Sequence, residues 1–179
     1  MTGLLALCRA IDGMNERLGR IACWCVLFAC VISAGNALFR YGFSLSSNAW
    51  LEIQWYLFGA IFMLGAPYTL KINGHVRVDI VYGNVSPRAQ IWIDLLGGIF
   101  FLMPATVVIG WMSWPIFVDA FRSGEMSNNA GGLMRWPIKL FLPLGFGLLA
   151  LQGLSEIIKR IAALMGQYDL HARYEKPMQ

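Results

Sequence analysis

Four stretches of this chain run for sixteen residues or more without a charged side chain, and nothing else in the sequence limits the fold as strongly. They are residues 21–39 (19 residues), 53–70 (18), 95–118 (24) and 140–155 (16). A helix rises about 1.5 Å per residue and the hydrocarbon core of a bilayer is about 30 Å thick, so runs of this length cross a membrane with slight help from their flanks. Only 13% of the residues are charged, against roughly 25% in soluble domains, and they cluster between the apolar runs. This excludes a disordered chain, a disulfide scaffold and an ordinary cytosolic enzyme. The expectation is an all-α membrane protein forming a single domain over 1–179. It begins with an amphipathic interfacial helix (1–20), followed by transmembrane helices at 21–39, 50–70, 91–118 and 137–158. A connector covers 71–90 and a tail 159–179. The fourth run is short on a strict count, but Lys139 and Glu156 stand at its ends, where their side chains reach the headgroups. The third is the longest and is expected to tilt or kink, with Pro104 the natural place.

Orientation follows from the basic residues. With the N-terminus in the cytoplasm, Arg9, Arg17, Arg20, Lys71, Arg77, Arg88, Lys159, Arg160, Arg173 and Lys176 lie inside, ten in all; Arg40, Arg122, Arg135 and Lys139, four in all, lie outside. The positive-inside bias therefore predicts cytoplasmic N and C termini. Tryptophans such as Trp24, Trp50, Trp92 and Trp136 fall near expected span ends, as interfacial rings do. In the first twenty residues, Leu4, Leu7, Ile11, Met14 and Leu18 recur at helical spacing, with Arg9, Asp12, Glu16 and Arg17 largely off the stripe. Such a helix either lies in the membrane interface or seats its stripe in a partner's groove. The long charged lead and the weak cleavage context at Ser33-Ala34-Gly35 argue against a signal peptide. Cys8, Cys23, Cys25 and Cys30 form no CxxC pair and are expected to act as small buried hydrophobes.

The middles of the spans carry no Asp, Glu, Lys, Arg or His. A proton relay or a midplane ion ligand of the kind coupled transporters use is therefore missing. The two histidines, His75 and His171, lie in expected cytoplasmic segments, so a haem held in the bundle is excluded. The basic residues line no single polar face, which excludes nucleic acid as a partner. The candidate polar contacts stand at the rims. Asn36 and Arg40 close the first span on one helix face, and Glu52 opens the second on the same side. An Arg40–Glu52 pair is sterically reasonable; the alternative is that each snorkels to water. Asp94 and Asp119 bracket the third span, with Arg88 and Arg122 nearby as partners. In the connector, Arg77 and Asp79 alternate with valines after an Asn73-Gly74 turn signal, and His75 with Asp79 is too small a set to hold a metal. Gly97, Gly98, Gly145 and Gly147 would let helices approach closely. No P-loop, zinc-protease or nucleophile-elbow motif occurs, and no enzyme activity is expected.

Taken in order, Asn36 to Arg40-Tyr41, Glu52-Ile-Gln-Trp-Tyr-Leu-Phe58, Gly65, Lys71, Gly74-His75-Val76-Arg77-Val78-Asp79, Ser86-Pro87-Arg88, Arg135-Trp136-Pro137-Ile-Lys139, Pro143-Leu-Gly145 and Leu151-Gln152 resemble the small membrane subunit of tripartite ATP-independent periplasmic (TRAP) transporters, a DctQ-like pattern covering nearly the whole chain. Ser113-Trp114-Pro115 and Arg135-Trp136-Pro137 resemble the branch labelled mannitol/chloroaromatic. The resemblance implies a multi-pass protein of the bacterial inner membrane. Its partners would be a large, DctM-like membrane subunit that moves solute by a sodium-coupled elevator motion, a periplasmic solute-binding protein that docks transiently, and membrane lipids. The small subunit would brace the stationary scaffold during uptake of an organic acid or related solute and hold no substrate, sodium or metal site of its own. No cofactor is implied; a phospholipid wedged between subunits is the one bound component to expect. Within that reading, Asn36, Arg40, Glu52, Arg77, Asp79 and Trp136 are the candidate interface or structural polar contacts. The reading from another class is a stand-alone homo-oligomeric small transporter or channel, whose copies would share a pore.

Overall fold

The computed structural model describes residues 2–45, 47–75, 82 and 85–169. Four long helices account for most of them: α1 (Thr2–Phe43), α2 (Asn48–Lys71), α3 (Pro87–Ser123) and α4 (Trp136–Leu164). Each is long and apolar enough to cross a membrane, and no strand occurs among the described residues. Arg77 and Asp79, two of the candidate contacts, lie outside the described residues.

No break separates residues 2–20 from the first span. α1 contains no proline, and its 42 residues would extend about 63 Å if straight, roughly twice the hydrocarbon thickness. α2 ends in an αL turn: Asn73 has φ 59°, and Gly74 N donates to Thr69 O (2.9 Å), a Schellman arrangement that accounts for the Asn-Gly signal. α3 starts earlier than expected, because Ser86 caps it by accepting from Ala89 N (3.4 Å) with Pro87 at the first turn. Its expected irregularity is a π-helical turn, Gly98–Leu102, just before Pro104. Proline has no N–H for residue 100 and its ring crowds that carbonyl; widening the turn accommodates both. α3 closes on Gly124 in the αL region (φ 61°).

α4 is the central element and touches the other three helices. Ala22 of α1, Ala60 and Leu64 of α2 and Leu148 of α4 are buried together, with Leu18, Cys25 and Phe141 packed around them. Small residues set the helix separations. A Cβ on Gly145 would lie 2.6 Å from Met63 Cβ, and one on Gly19 would lie 2.8 Å from the Tyr68 ring. Gly98 meets Ile157 in the same way, whereas Gly97 and Gly147, also expected to mediate close packing, have open space. The outer surface is rich in large apolar side chains, Trp111, Phe101 and Phe62 being more than three-quarters exposed. Such a surface suits lipid and would be a liability in water. Cys23 and Cys30 lie on it, which corrects the expectation that all the cysteines are buried; only Cys8 is fully so.

Candidate functional site

Polar side chains are concentrated in two clusters, one at each rim of the bundle. The first joins α1, α3 and α4. Lys159 Nζ donates to both carboxylate oxygens of Asp12 (2.9 and 3.0 Å) and to Glu156 Oε1 (2.5 Å). Arg160 donates from Nη1 to Glu156 Oε2 (2.7 Å) and from Nη2 and Nε to Asp94 Oδ2 (3.1 and 3.3 Å). Gln152 Nε2 donates to Asp12 (2.9 Å) and Glu156 (3.0 Å), and Ser155 Oγ donates to Asp12 (3.3 Å). Because two carboxylates hold the Gln152 amine, its carbonyl oxygen faces Asn15, whose amine donates to it at 2.8 Å. Asn15 Oδ1 is left, among the described residues, as the one buried side-chain polar atom without a partner. On the flank, Lys71 of α2 pairs with Glu16 of α1 (2.8 Å), and Tyr82 Oη donates to Asp94 (3.0 Å).

Gln152, Asn15 and Ser155 are wholly buried, and Lys159 nearly so. Burying ions is costly, and an ion pair in the interior is no sign of a gain in stability by itself. Its effect is on geometry. Asp12, Asp94, Glu156, Lys159 and Arg160 alternate in sign, and each cation bridges two carboxylates. Helices from distant parts of the chain are thereby fixed in one register, since a slide along either axis would leave a buried charge unpaired. Two clefts open beside this cluster, of about 450 and 540 Å³. Both are lined by Asp94, Glu156 and Arg160, and the second continues along α3 and α4 as far as Leu102 and Leu149.

The second cluster is built on Glu52, just past the first turn of α2 and only 4% exposed. The loop between α3 and α4 folds over it. Ser127 Oγ and Asn129 Nδ2 (2.9 Å) donate to one carboxylate oxygen and Leu133 N (2.7 Å) to the other. Gly132 is required there, because a Cβ would lie 2.8 Å from Glu52 Oε1 and 2.5 Å from Ser127 Cβ. Around this anchor the loop is a turn closed by a single antiparallel bridge: Met126 bridges Met134, Ser127 N donates to Leu133 O (2.9 Å) and Arg135 N to Glu125 O (2.8 Å). Asn48 Nδ2 and Tyr56 Oη of α2 donate to Ala130 O (2.9 Å) and Met134 O (2.7 Å), and Lys139 pairs with Glu125.

Several expectations are corrected by this geometry. Arg40 is exposed and does not pair with Glu52, whose carboxylate is filled by the 124–135 loop. Asp94 pairs with Arg160, 66 residues away, instead of neighbouring Arg88. On the N-terminal helix the face turned into the bundle is Cys8, Ile11, Asp12, Asn15 and Gly19, so Asp12 is interior while Leu4, Leu7 and Met14 of the apolar stripe are exposed. Of the two residues expected to reach the headgroups, Glu156 belongs instead to the first cluster and Lys139 pairs with Glu125. Trp136 stacks edge-on against Phe121 (centroids 5.5 Å apart), joining the starts and ends of α4 and α3. Asn36 and Arg40 remain side by side on α1, one turn apart.

Sequence reasoning missed Asp12, Asn15, Gln152, Ser155, Lys159 and Arg160 as a unit. A signal was present: Cys8, Asp12, Asn15, Gly19 and Ala22 recur at alternating four- and three-residue steps, a seam of small and polar groups that cannot face lipid. Gln152, Glu156, Lys159 and Arg160 make the matching face of α4.

The arrangement is structural in its chemistry. Each of its cations is paired, its carboxylates are filled by donors from this chain, and the middles of the spans between the clusters carry no charged side chain. No curated protein and no solved structure matches the chain. The profile of "Tripartite ATP-independent periplasmic transporters, DctQ component" matches residues 29–163, well over half of the sequence and all but the first part of the four-helix bundle. That is a family of transporter components, not of enzymes, and the chain belongs to it: this is a small membrane subunit of a TRAP transporter, a multi-pass protein of the inner membrane.

Proposed function

We propose that the chain is the stationary brace of a three-part importer: it binds the large, DctM-like membrane subunit and widens its scaffold while that subunit carries an organic acid or related solute inward, coupled to sodium. The observation that carries this reading is the division of the polar groups. Buried networks lock both rims of the bundle, and the spans between them hold no ionisable side chain. A transport subunit needs ligands near the midplane and helices free to move; a brace needs rigid ends. The ten-to-four distribution of basic residues supports a cytoplasmic position for the Asp12–Lys159 rim and both termini. Glu52 and the loop it holds then face the periplasm, where the solute-binding protein docks.

Reconstitution tests this. Liposomes holding the large subunit with this chain, supplied with binding protein, solute and a sodium gradient, are expected to take up solute. Liposomes holding this chain without the large subunit are expected to show none. Uptake by the chain alone would overturn the proposal and favour a homo-oligomeric transporter or channel.

A further inference from the structure

The interior seam of α1 continues past the point where this chain covers it. Cys8, Asp12, Asn15, Gly19, Ala22 and Ala29 are buried, at steps of four, three, four, three and seven residues, which is the spacing of one helix face. Further steps of four, three and four reach Ser33, Asn36 and Arg40. Ser33 and Arg40 are exposed and Asn36 is half-exposed. Whereas Asp12 and Asn15 find partners on α4, the side chains of Ser33, Asn36 and Arg40 have no hydrogen bond or ion pair among the described residues.

A strip of serine, asparagine and arginine does not belong on a lipid surface. Elsewhere the exposed faces of the spans carry Trp24, Phe28, Phe62, Phe101 and Trp111. Arg40, near the end of α1, can extend to the headgroups. Asn36 cannot follow: it lies about 6 Å deeper along the helix axis and its side chain is short. An amide without a partner in hydrocarbon is costly, whereas a hydrogen bond to a neighbouring helix removes that cost, and small neighbours such as Ser33 allow close approach. A lipid phosphate would satisfy Arg40 and leave Asn36 unpaired. Another protein helix can satisfy both.

We propose that residues 33–40 of this seam are where a transmembrane helix of the large subunit docks, placing acceptor groups, a carboxylate against Arg40 and a carboxylate or backbone carbonyl against Asn36. This rests on the accessory role proposed above. It extends across the subunit boundary the polar packing that Asp12 and Asn15 make within the chain.

The test uses the two membrane subunits expressed together. A photo-crosslinking amino acid at position 33 is expected to join this chain to the large subunit in intact membranes; the same probe at position 111, on the lipid-facing side of α3, is expected not to. The double variant N36L/R40L should lower recovery of the large subunit with this chain at least ten-fold. Purified alone, that variant should melt at the same temperature as the native chain, since neither side chain has a partner inside it. Crosslinks from position 33 only to lipid or to a second copy, or undiminished recovery with N36L/R40L, would overturn the docking assignment. Should the native chain itself recover no large subunit, the accessory role fails and the docking assignment with it; recovery by the native chain and the double variant alike removes the docking assignment alone.

Discussion

Single residues in the two clusters differ in what their removal leaves behind, and the arithmetic of charge ranks them. Among Asp12, Asp94, Glu156, Lys159 and Arg160 the net charge is −1. Lys159→Met leaves three carboxylates around one arginine, a net of −2, and should cost about 3–5 kcal/mol, as breaking a buried pair from one side does. Asp12→Asn leaves the five groups neutral and keeps an acceptor for Gln152 or Ser155, so about 1–3 kcal/mol is expected. Thermal or denaturant melting in mild detergent checks the order, and equal losses would count against the charge argument. At the other rim, Glu52→Gln keeps the shape but turns an acceptor toward donors as an amine. The 124–135 loop should then loosen, read as faster protease cleavage within it while the helices stay intact. Unchanged cleavage would mean that Glu52 does not hold the loop.

Helices in this bundle approach one another where glycine allows it, and the sequence alone does not say which glycine. Gly145 and Gly147 stand two residues apart on α4 in the same composition, but only Gly145 faces Met63 on α2. Gly145→Leu is expected to destabilise by about 1–3 kcal/mol through overpacking, and Gly147→Leu to be close to neutral; comparing melting of the two variants is the check. The same contrast explains what was legible. Span number, approximate span positions, the Asn73 turn and a distortion near Pro104 all come from local signals: run length, turn chemistry and a missing N–H. Pairings did not. Asp12 with Lys159 and Asp94 with Arg160 join residues 147 and 66 positions apart, and each of those charges, read beside its own span, passes for a side chain reaching toward headgroups. Glu52 shows the same limit: its sequence neighbourhood offers a pair with Arg40 or a side chain reaching water, while three donors from a loop more than seventy residues away fill the carboxylate.

For the molecule as a whole, a lipid-suited surface, two locked rims and spans without charge at their middles are what the proposed brace requires. The family assignment over residues 29–163 supplies what that is, a transporter with other components. The orientation proposed from the basic residues can be checked by impermeant thiol labelling of a variant whose native cysteines are replaced by serine or alanine. A new cysteine at position 130, in the loop held by Glu52, should react from the periplasmic side of intact cells, and one at position 167 only after the membrane is opened; the reverse pattern would invert the topology. Above all, the chain is proposed to work as a fixed companion of a larger membrane subunit. The most direct measurement is purification of the tagged chain from its native membrane in mild detergent, with mass spectrometry of what accompanies it. Recovery of one large polytopic protein in equal amount is the predicted result; recovery of the chain alone, or only as copies of itself, would contradict it.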